Sequence, residues 1–171
     1  MYLISIYFDE KTNKKIQQYI NQVAKETGNQ YMLDGNVPPH ITVSAFETRN
    51  EEQAIAVFKK VVSELQCGNI TWVCVGQFLP YVIFLAPVLN EYLHSLSQKV
   101  YDGFAFMDDV AISANYQPFQ WMPHTTIGKK LSQEEMEIAF KVLQNSFGMF
   151  EGKVVRIGLA KPNPHRDIVD F

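Results

Sequence analysis

The sequence predicts an α+β fold in which two similar lobes face each other across a cleft. The order strand, helix, strand, helix, strand is found twice along the 171 residues, once in residues 1–79 and once in 80–171. A Pro-His-x-Thr-apolar segment occurs at the matching place of each half, at residues 39–43 and 123–127. A single domain with an internal duplication of about 80 residues explains both observations.

The first half begins with a predicted strand of β-favouring residues from Tyr2 to Phe8. A helix follows and is expected to stop at Gly28. The loop over residues 34–39 then leads into the strand that carries the first Pro-His-x-Thr segment. The apolar face of the helix is formed by Ile16, Ile20 and Val23.

A second helix is predicted to begin near Asn50, with Gln53 completing a capping pair. A strand from about Ile70 to Phe78 closes the first half. The apolar residues assigned to the buried face of this helix are Ala54, Phe58, Val61 and Leu65.

The second half repeats this order, beginning with an apolar strand from Tyr81 to Ala86. A helix follows, and then a poorly patterned stretch to Met122 precedes the second Pro-His-x-Thr strand. The apolar face of the helix is formed by Leu89, Leu93, Leu96 and Val100.

Ser132 and Glu135 form the capping box of a last helix. The final strand is predicted from about Lys153 to Ala160, and a proline-rich tail follows it. The apolar stripe of the helix comprises Met136, Ala139, Phe140, Leu143 and Phe147.

The composition is that of an ordinary globular protein, with 47% hydrophobic and 19% charged residues. The net charge of −3 argues against binding of extended nucleic acid, although a small nucleotide or an RNA end needs only local positive groups. Cys67 and Cys74 have neither metal-site nor disulfide-framework spacing. The apolar runs are too short to span a membrane and the N-terminus has no basic region, so we expect a cytoplasmic protein. No oligomerisation signal stands out, so we expect a monomer.

The repeated segment places an imidazole and a hydroxyl on the same face of a strand, because strand side chains alternate with a period of two. Two such strands face to face would surround one small anion with His40, Thr42, His124 and Thr126. This arrangement indicates phosphate ester chemistry. His94 and His165 lack the pattern, and we expect neither to be a ligand.

The segments His40-Ile41-Thr42-Val43 and His124-Thr125-Thr126-Ile127 resemble the paired His-x-Thr/Ser-x motifs of the 2H phosphoesterase superfamily. This superfamily includes bacterial 2′-5′ RNA ligase-like proteins and RNA 2′,3′-cyclic phosphodiesterases. The resemblance covers most of the chain, and Gly128-Lys129 is similar to the small residue and arginine often found after the second motif. It implies a bilobal, pseudo-twofold α+β structure with antiparallel sheets and a central cleft, and an activity that needs no metal or other cofactor.

Hydrolysis of a 2′,3′-cyclic phosphate needs a base for water, an acid for the departing ribose oxygen, and donors for the non-bridging oxygens. Two histidines can supply the acid and the base, because imidazole titrates near neutral pH. Thr42 and Thr126 would stabilise charge on the phosphoryl oxygens. The sequence leaves open which histidine is the acid, and the same groups could catalyse the reverse, ligating reaction.

Four further residues are candidates for substrate binding. Strict alternation turns Lys129 away from the face of His124 and favours Lys130, whereas a β-bulge would reverse that choice. Tyr116 and Trp121, with Phe119 between them, precede the second motif and could stack on a nucleobase.

The sequence therefore predicts a metal-independent phosphodiesterase that acts on 2′,3′-cyclic or 2′-5′ linked RNA or nucleotides, with an RNA end or nucleotide carrying a cyclic phosphate as its partner. One alternative is a cyclic phosphodiesterase of another small metabolite. A second is a nucleotide-binding module that has lost turnover. The natural substrate and the physiological role stay open.

Overall fold

The computed structural model describes residues 1–63, 66–162 and 165–171. The strands in these residues are antiparallel to their neighbours and helices flank them, which confirms the predicted α+β class. In chain order the elements are β1 (Tyr2–Phe8), α1 (Glu10–Thr27), α2 (Tyr31–Asp34), β2 (His40–Glu47), α3 (Glu51–Val62), β3 (Asn69–Phe78), β4 (Val82–Pro87), α4 (Glu91–Ala105), β5 (Ala111–Ile112), β6 (Thr125–Gly128), α5 (Gln133–Ser146), β7 (Phe150–Lys161) and β8 (Arg166–Asp170).

The two halves of the chain exchange strands. β1 pairs with β2 from its own half and with β7, the last long strand of the second half. Equivalently, β4 pairs with β6 from its own half and with β3, the last strand of the first half. Where the two sheets meet, the starts of β3 and β7 pair with each other. Each sheet is thus built from both halves, related by a pseudo-twofold arrangement.

The helices cross between the halves in the same way. α1 packs against α5 and over β6, whereas α4 packs against α3 and over β2. The first helix of each half, α1 or α4, therefore covers the motif strand of the other half, β6 or β2. The duplication itself, divided near residues 79 and 80, stays a prediction.

The helix boundaries follow the capping signals of the sequence. Gly28 ends α1 with φ 77°, a left-handed conformation that favours glycine. Asn50 caps α3 by accepting a hydrogen bond from the backbone N–H of Gln53. Ser132 and Glu135 form the complete capping box of α5.

Several predicted apolar positions differ in the structure. In α3, Val62 is buried and Val61 half-buried, while the predicted position Leu65 lies outside the described residues. Leu89 precedes α4 and is exposed, and Phe140 is exposed on α5. Leu89 lies before the first turn of α4, and Phe140 lies on a part of the α5 surface that the neighbouring elements do not cover.

Two strands were not predicted. The short β5 pairs with the end of β2, and β8 folds the proline-rich tail back onto β7. Neither strand has a local pattern that indicates it: β5 has two residues and depends on a partner distant in sequence, and β8 has five residues and depends on pairing with β7.

An aromatic cluster fills the junction of the two sheets. The ring of Trp72 stacks on Phe150 at a centroid distance of 4.8 Å and makes an edge-to-face contact with Phe8 at 4.9 Å. The buried indole N–H of Trp72 donates to Thr125 Oγ1 at 3.1 Å. The core thereby holds the second motif strand in place.

Cys67 and Cys74 are free thiols, exposed to solvent. Within the described parts of the chain, no helix has the length and apolar character needed to cross a membrane.

Candidate active site

The two motif strands lie against each other, although they belong to different sheets. His40 is the first residue of β2, and His124 directly precedes β6. β2 and β6 are in direct contact. In addition, the indole N–H of Trp121, just before the second motif, donates to the backbone carbonyl of Thr42 at 3.0 Å. The fold therefore brings the first and second motifs together at one place.

The side chains of each motif alternate between the cleft and the core. The histidine and the threonine of each copy are partly exposed, while the residues between and after them are buried. The partly exposed set is the predicted catalytic one: His40, Thr42, His124 and Thr126.

Both histidines have the same hydrogen bond. The Nδ1 atom of His40 lies 2.8 Å from the carbonyl oxygen of Pro38, and Nδ1 of His124 lies 2.9 Å from that of Met122. A carbonyl can only accept, so each Nδ1 carries a hydrogen. In the neutral imidazole, Nε2 is then the free basic nitrogen, and in the charged form it is the acid.

Burial lowers the pKa of both imidazoles, and the hydrogen bond to the preceding carbonyl opposes this shift. The pKa of His40 is lowered further by the positive charges of three neighbours. Since His124 is one of these neighbours, the two motif histidines interact electrostatically. The other two are His165 and Lys129.

The surroundings of the two imidazoles differ. His124 packs against the rings of Phe78 and Phe84, at centroid distances of 4.8 and 5.4 Å. His40 instead lies beside the Tyr7 ring at 5.9 Å, and the Arg156 guanidinium covers that ring at 3.9 Å. One histidine therefore has an apolar side and the other a charged side.

A hydroxyl next to Thr42 adds to this asymmetry. Ser5 Oγ lies 3.4 Å from Thr42 Oγ1, and either atom can donate. The residue that pairs with Thr126 in the equivalent position is Phe84. Local sequence gives no sign of a role for Ser5, Tyr7 or Arg156, because their proximity to the motifs comes from strand pairing.

Each His-x-Thr-x motif contains a β-bulge at its fourth residue. The register passes from Ser5↔Thr42 to Ile4↔Ser44 in one sheet, and from Phe84↔Thr126 to Ile83↔Gly128 in the other. Val43 and Ile127 are therefore extra residues, and strict alternation ends there.

The second bulge reverses the preference between the two lysines. Lys129 lies close enough to His40 for its charge to lower the pKa of that imidazole. Lys130 has a left-handed backbone with φ 57°, and its ammonium lies over the Tyr31 ring at 4.6 Å. The geometry favours Lys129 as the basic group of the cleft, where strict alternation favours Lys130.

A cavity of about 410 Å³ adjoins His124. It combines aromatic rings with side-chain amides, and burial raises the pKa of its Tyr116. Trp121 is only 7% exposed, and its N–H is already bonded to the Thr42 carbonyl. This geometry gives Trp121 a role in joining the two motifs. The other lining residues are Phe78, Asn115, Tyr116, Gln120 and Met122.

The remaining histidines have different positions. His94 lies on α4, where its ring contacts the exposed Phe119 at 5.1 Å. His165, expected to play no part, lies near His40 because β8 returns the tail to β7. Lys161 and Arg166 of the same tail form ion pairs with Glu51.

A family model described as the 2′-5′ RNA ligase superfamily matches residues 12–166 of the chain. The match includes both motifs and all four predicted catalytic residues.

Among proteins of similar sequence, one from Geobacillus sp. (strain WCH70), named "Putative phosphoesterase", is 26% identical over 152 residues, which are 86% of this chain and 82% of that protein. A protein of the same name from Bacillus licheniformis is 27% identical over 128 residues, which are 72% of this chain and 69% of that protein. Among solved structures, Usb1 of Kluyveromyces marxianus matches with a TM-score of 0.47 and 13% identity, over 92% of both chains.

Proposed function

Because the chain belongs to the 2′-5′ RNA ligase superfamily, we propose that it is a metal-independent phosphodiesterase that hydrolyses a 2′,3′-cyclic or 2′-5′ phosphodiester of RNA or a nucleotide. The main observation in support is the pair of identically bonded histidines, each with Nε2 as its free nitrogen. This pair could transfer two protons at a single phosphate.

In the proposed reaction, Nε2 of one neutral histidine removes a proton from water as the water oxygen bonds to phosphorus. The bond from phosphorus to one ribose oxygen breaks, and Nε2–H of the other, charged histidine protonates that oxygen. The hydroxyls of Thr42 and Thr126 donate to the non-bridging oxygens as negative charge accumulates there. The product is a ribose phosphomonoester.

The cavity beside His124 supports a nucleotide over another cyclic metabolite. Tyr116 and Phe78 contribute aromatic rings to its lining, and the amides of Asn115 and Gln120 can donate and accept hydrogen bonds. These are the groups that recognise an unpaired nucleobase. A cytoplasmic location and a monomeric state remain expectations of the sequence.

The test is turnover of nucleoside 2′,3′-cyclic phosphates and of short RNAs with 2′,3′-cyclic or 2′-5′ linkages, measured with EDTA present. We expect His40→Ala and His124→Ala each to reduce kcat by about 10²- to 10⁴-fold. His94→Ala is the matched control, since that histidine lies on α4 and belongs to neither motif. Full activity of either motif variant would refute the two-histidine mechanism, and binding without turnover by the wild type would support a binding module.

A further inference from the structure

The C-terminal strand brings a third imidazole to the candidate active site. His165 precedes β8, and its Nε2 lies 3.0 Å from Oδ1 of Asp167. Because a carboxylate accepts, Nε2 carries the hydrogen and Nδ1 is left for another partner. The His165 side chain is 23% exposed, so a ligand can reach it. Asp167 thus orients an accessible imidazole.

A connected set of side chains links β8 to His40. On β7, Arg156 bonds Asp170 of β8 through Nη1 at 2.8 Å, and its guanidinium lies over Tyr7. The Tyr7 ring in turn lies beside His40. Burial and the negative charge of nearby Asp167 raise the pKa of Tyr7 to about 12. The charge of Asp167 acts on Tyr7 and that of His165 acts on His40, so the His165–Asp167 pair lies on the His40 side of the cleft.

Among the described residues, His124 has no equivalent of the Arg156–Tyr7 and His165–Asp167 contacts. The chain passes from β3 to β4 through a short turn, without a strand corresponding to β8. The groups that pack on His124 are the rings of Phe78 and Phe84. The cleft therefore has an apolar side next to the 410 Å³ cavity and a charged side next to His40.

The charged side favours an anion. Asp167 and Asp170 are paired with His165 and Arg156, respectively. Lys129, whose charge also acts on His40, has no ion-pair partner in residues 1–63, 66–162 and 165–171. A protonated imidazole and an ammonium can both donate charge-assisted hydrogen bonds to phosphate oxygens.

Building on the proposed phosphodiesterase function, we propose that His165, together with Lys129, binds a second phosphate group of the substrate on the His40 side of the scissile phosphate. The preferred substrate class is then a nucleotide or oligonucleotide end that carries a further phosphate besides the cyclic one. Asp167 is a positioning residue for His165.

The first test compares two substrates that differ in one phosphate, a nucleoside 2′,3′-cyclic phosphate and the same compound with an added 5′-phosphate. His165→Asn should raise KM for the second substrate about tenfold and change KM for the first less than about twofold. His94→Asn is the control and should change neither. An equal effect of His165→Asn on both substrates, or no effect on either, would overturn the proposal.

The second test does not depend on turnover. We expect the wild type to bind inorganic pyrophosphate about tenfold more tightly than inorganic phosphate in calorimetric titrations, and His165→Asn to remove this difference. If no nucleotide is turned over but His165→Asn removes the difference, the phosphodiesterase function fails and the second phosphate site stands. If the variant retains the difference, the second site is refuted whatever the turnover.

Discussion

His40 and His124 show how the same local sequence is given two environments. Each donates from Nδ1 to the carbonyl of the residue two positions earlier. This bond depends only on the short segment before the motif. Beyond it, His124 contacts aromatic rings, whereas His40 interacts with other positive groups. The shared bond selects the free nitrogen, and the surroundings adjust its basicity.

The lowered histidine pKa values predict an acidic pH optimum. Both are held below the ordinary value of 6.5, chiefly by burial. Because kcat/KM needs one neutral and one protonated histidine of the free enzyme, its maximum should lie between the two values and hence below pH 6.5. At higher pH the acid loses its proton and kcat/KM should fall about tenfold per pH unit. A kcat/KM profile with its maximum above about pH 7 would contradict this expectation.

The two neighbouring threonines of the second motif are expected to have different roles, one in catalysis and the other in stability. Thr126 faces the cleft, so Thr126→Val should lower kcat/KM by about 10- to 100-fold through loss of a hydrogen bond to a charged phosphate. Thr125 is fully buried and accepts the Trp72 N–H. Thr125→Val should destabilise the protein by about 1–3 kcal/mol, since it leaves that donor unpaired.

Steady-state kinetics and chemical denaturation of both threonine variants measure the two effects. Thr42→Val is expected to behave like Thr126→Val. If Thr125→Val lost as much kcat/KM as Thr126→Val while remaining folded, the assignment of faces in this strand would be wrong.

At the scale of secondary structure, two glycines make room for the rings beside the histidines. Gly76 on β3 pairs with Phe84, and Gly158 on β7 pairs with Ser5, so the two glycines are equivalent. A Cβ at Gly76 would lie 2.5 Å from the Phe84 ring, and one at Gly158 would lie 3.1 Å from that of Tyr7. Strand composition therefore controls how closely each ring approaches its imidazole.

Gly76→Ala should push the Phe84 ring against His124. We expect a destabilisation of about 1–3 kcal/mol from overpacking and a roughly tenfold lower kcat from misplacement of the imidazole. Gly148→Ala is a suitable control, because a Cβ there has nothing within 4 Å. Thermal unfolding and kcat are measured for both variants. If Gly76→Ala had the same stability and the same kcat as Gly148→Ala, the packing argument would be contradicted.

Strand exchange makes the two halves of the molecule depend on each other. β1 needs β7 as a neighbour, and β4 needs β3. Neither half can complete a sheet alone, although each has the full set of elements expected of an independent unit.

We therefore expect fragments 1–79 and 80–171 to be largely unfolded when separate and to regain sheet structure when mixed. Circular dichroism and thermal melting of the separate and mixed fragments measure this. We expect only the mixture to give the circular dichroism signal of the full-length protein. A cooperative melt of either fragment by itself would argue against dependence on exchanged strands.

Local pattern predicted most elements, because capping and hydrophobic period act within a few residues. The start of β1, the end of α1 and the capping box of α5 are examples. β8 was missed because its stability comes from pairing with β7 rather than from its own five residues. For the same reason, local pattern gives no sign of a role for His165, since only the returning strand brings it near His40.

The α+β class, the order of the longer elements and the two His-x-Thr motifs follow from the sequence, because they depend on periodicity and on the residues within each strand. The pairing of strands across the halves, the lysine whose charge acts on His40 and the difference between the two imidazoles arise only in the folded protein. Those features depend on register, bulges and contacts between residues far apart in the chain. The same four-residue motif thus receives an apolar neighbour on one side of the cleft and a charged one on the other.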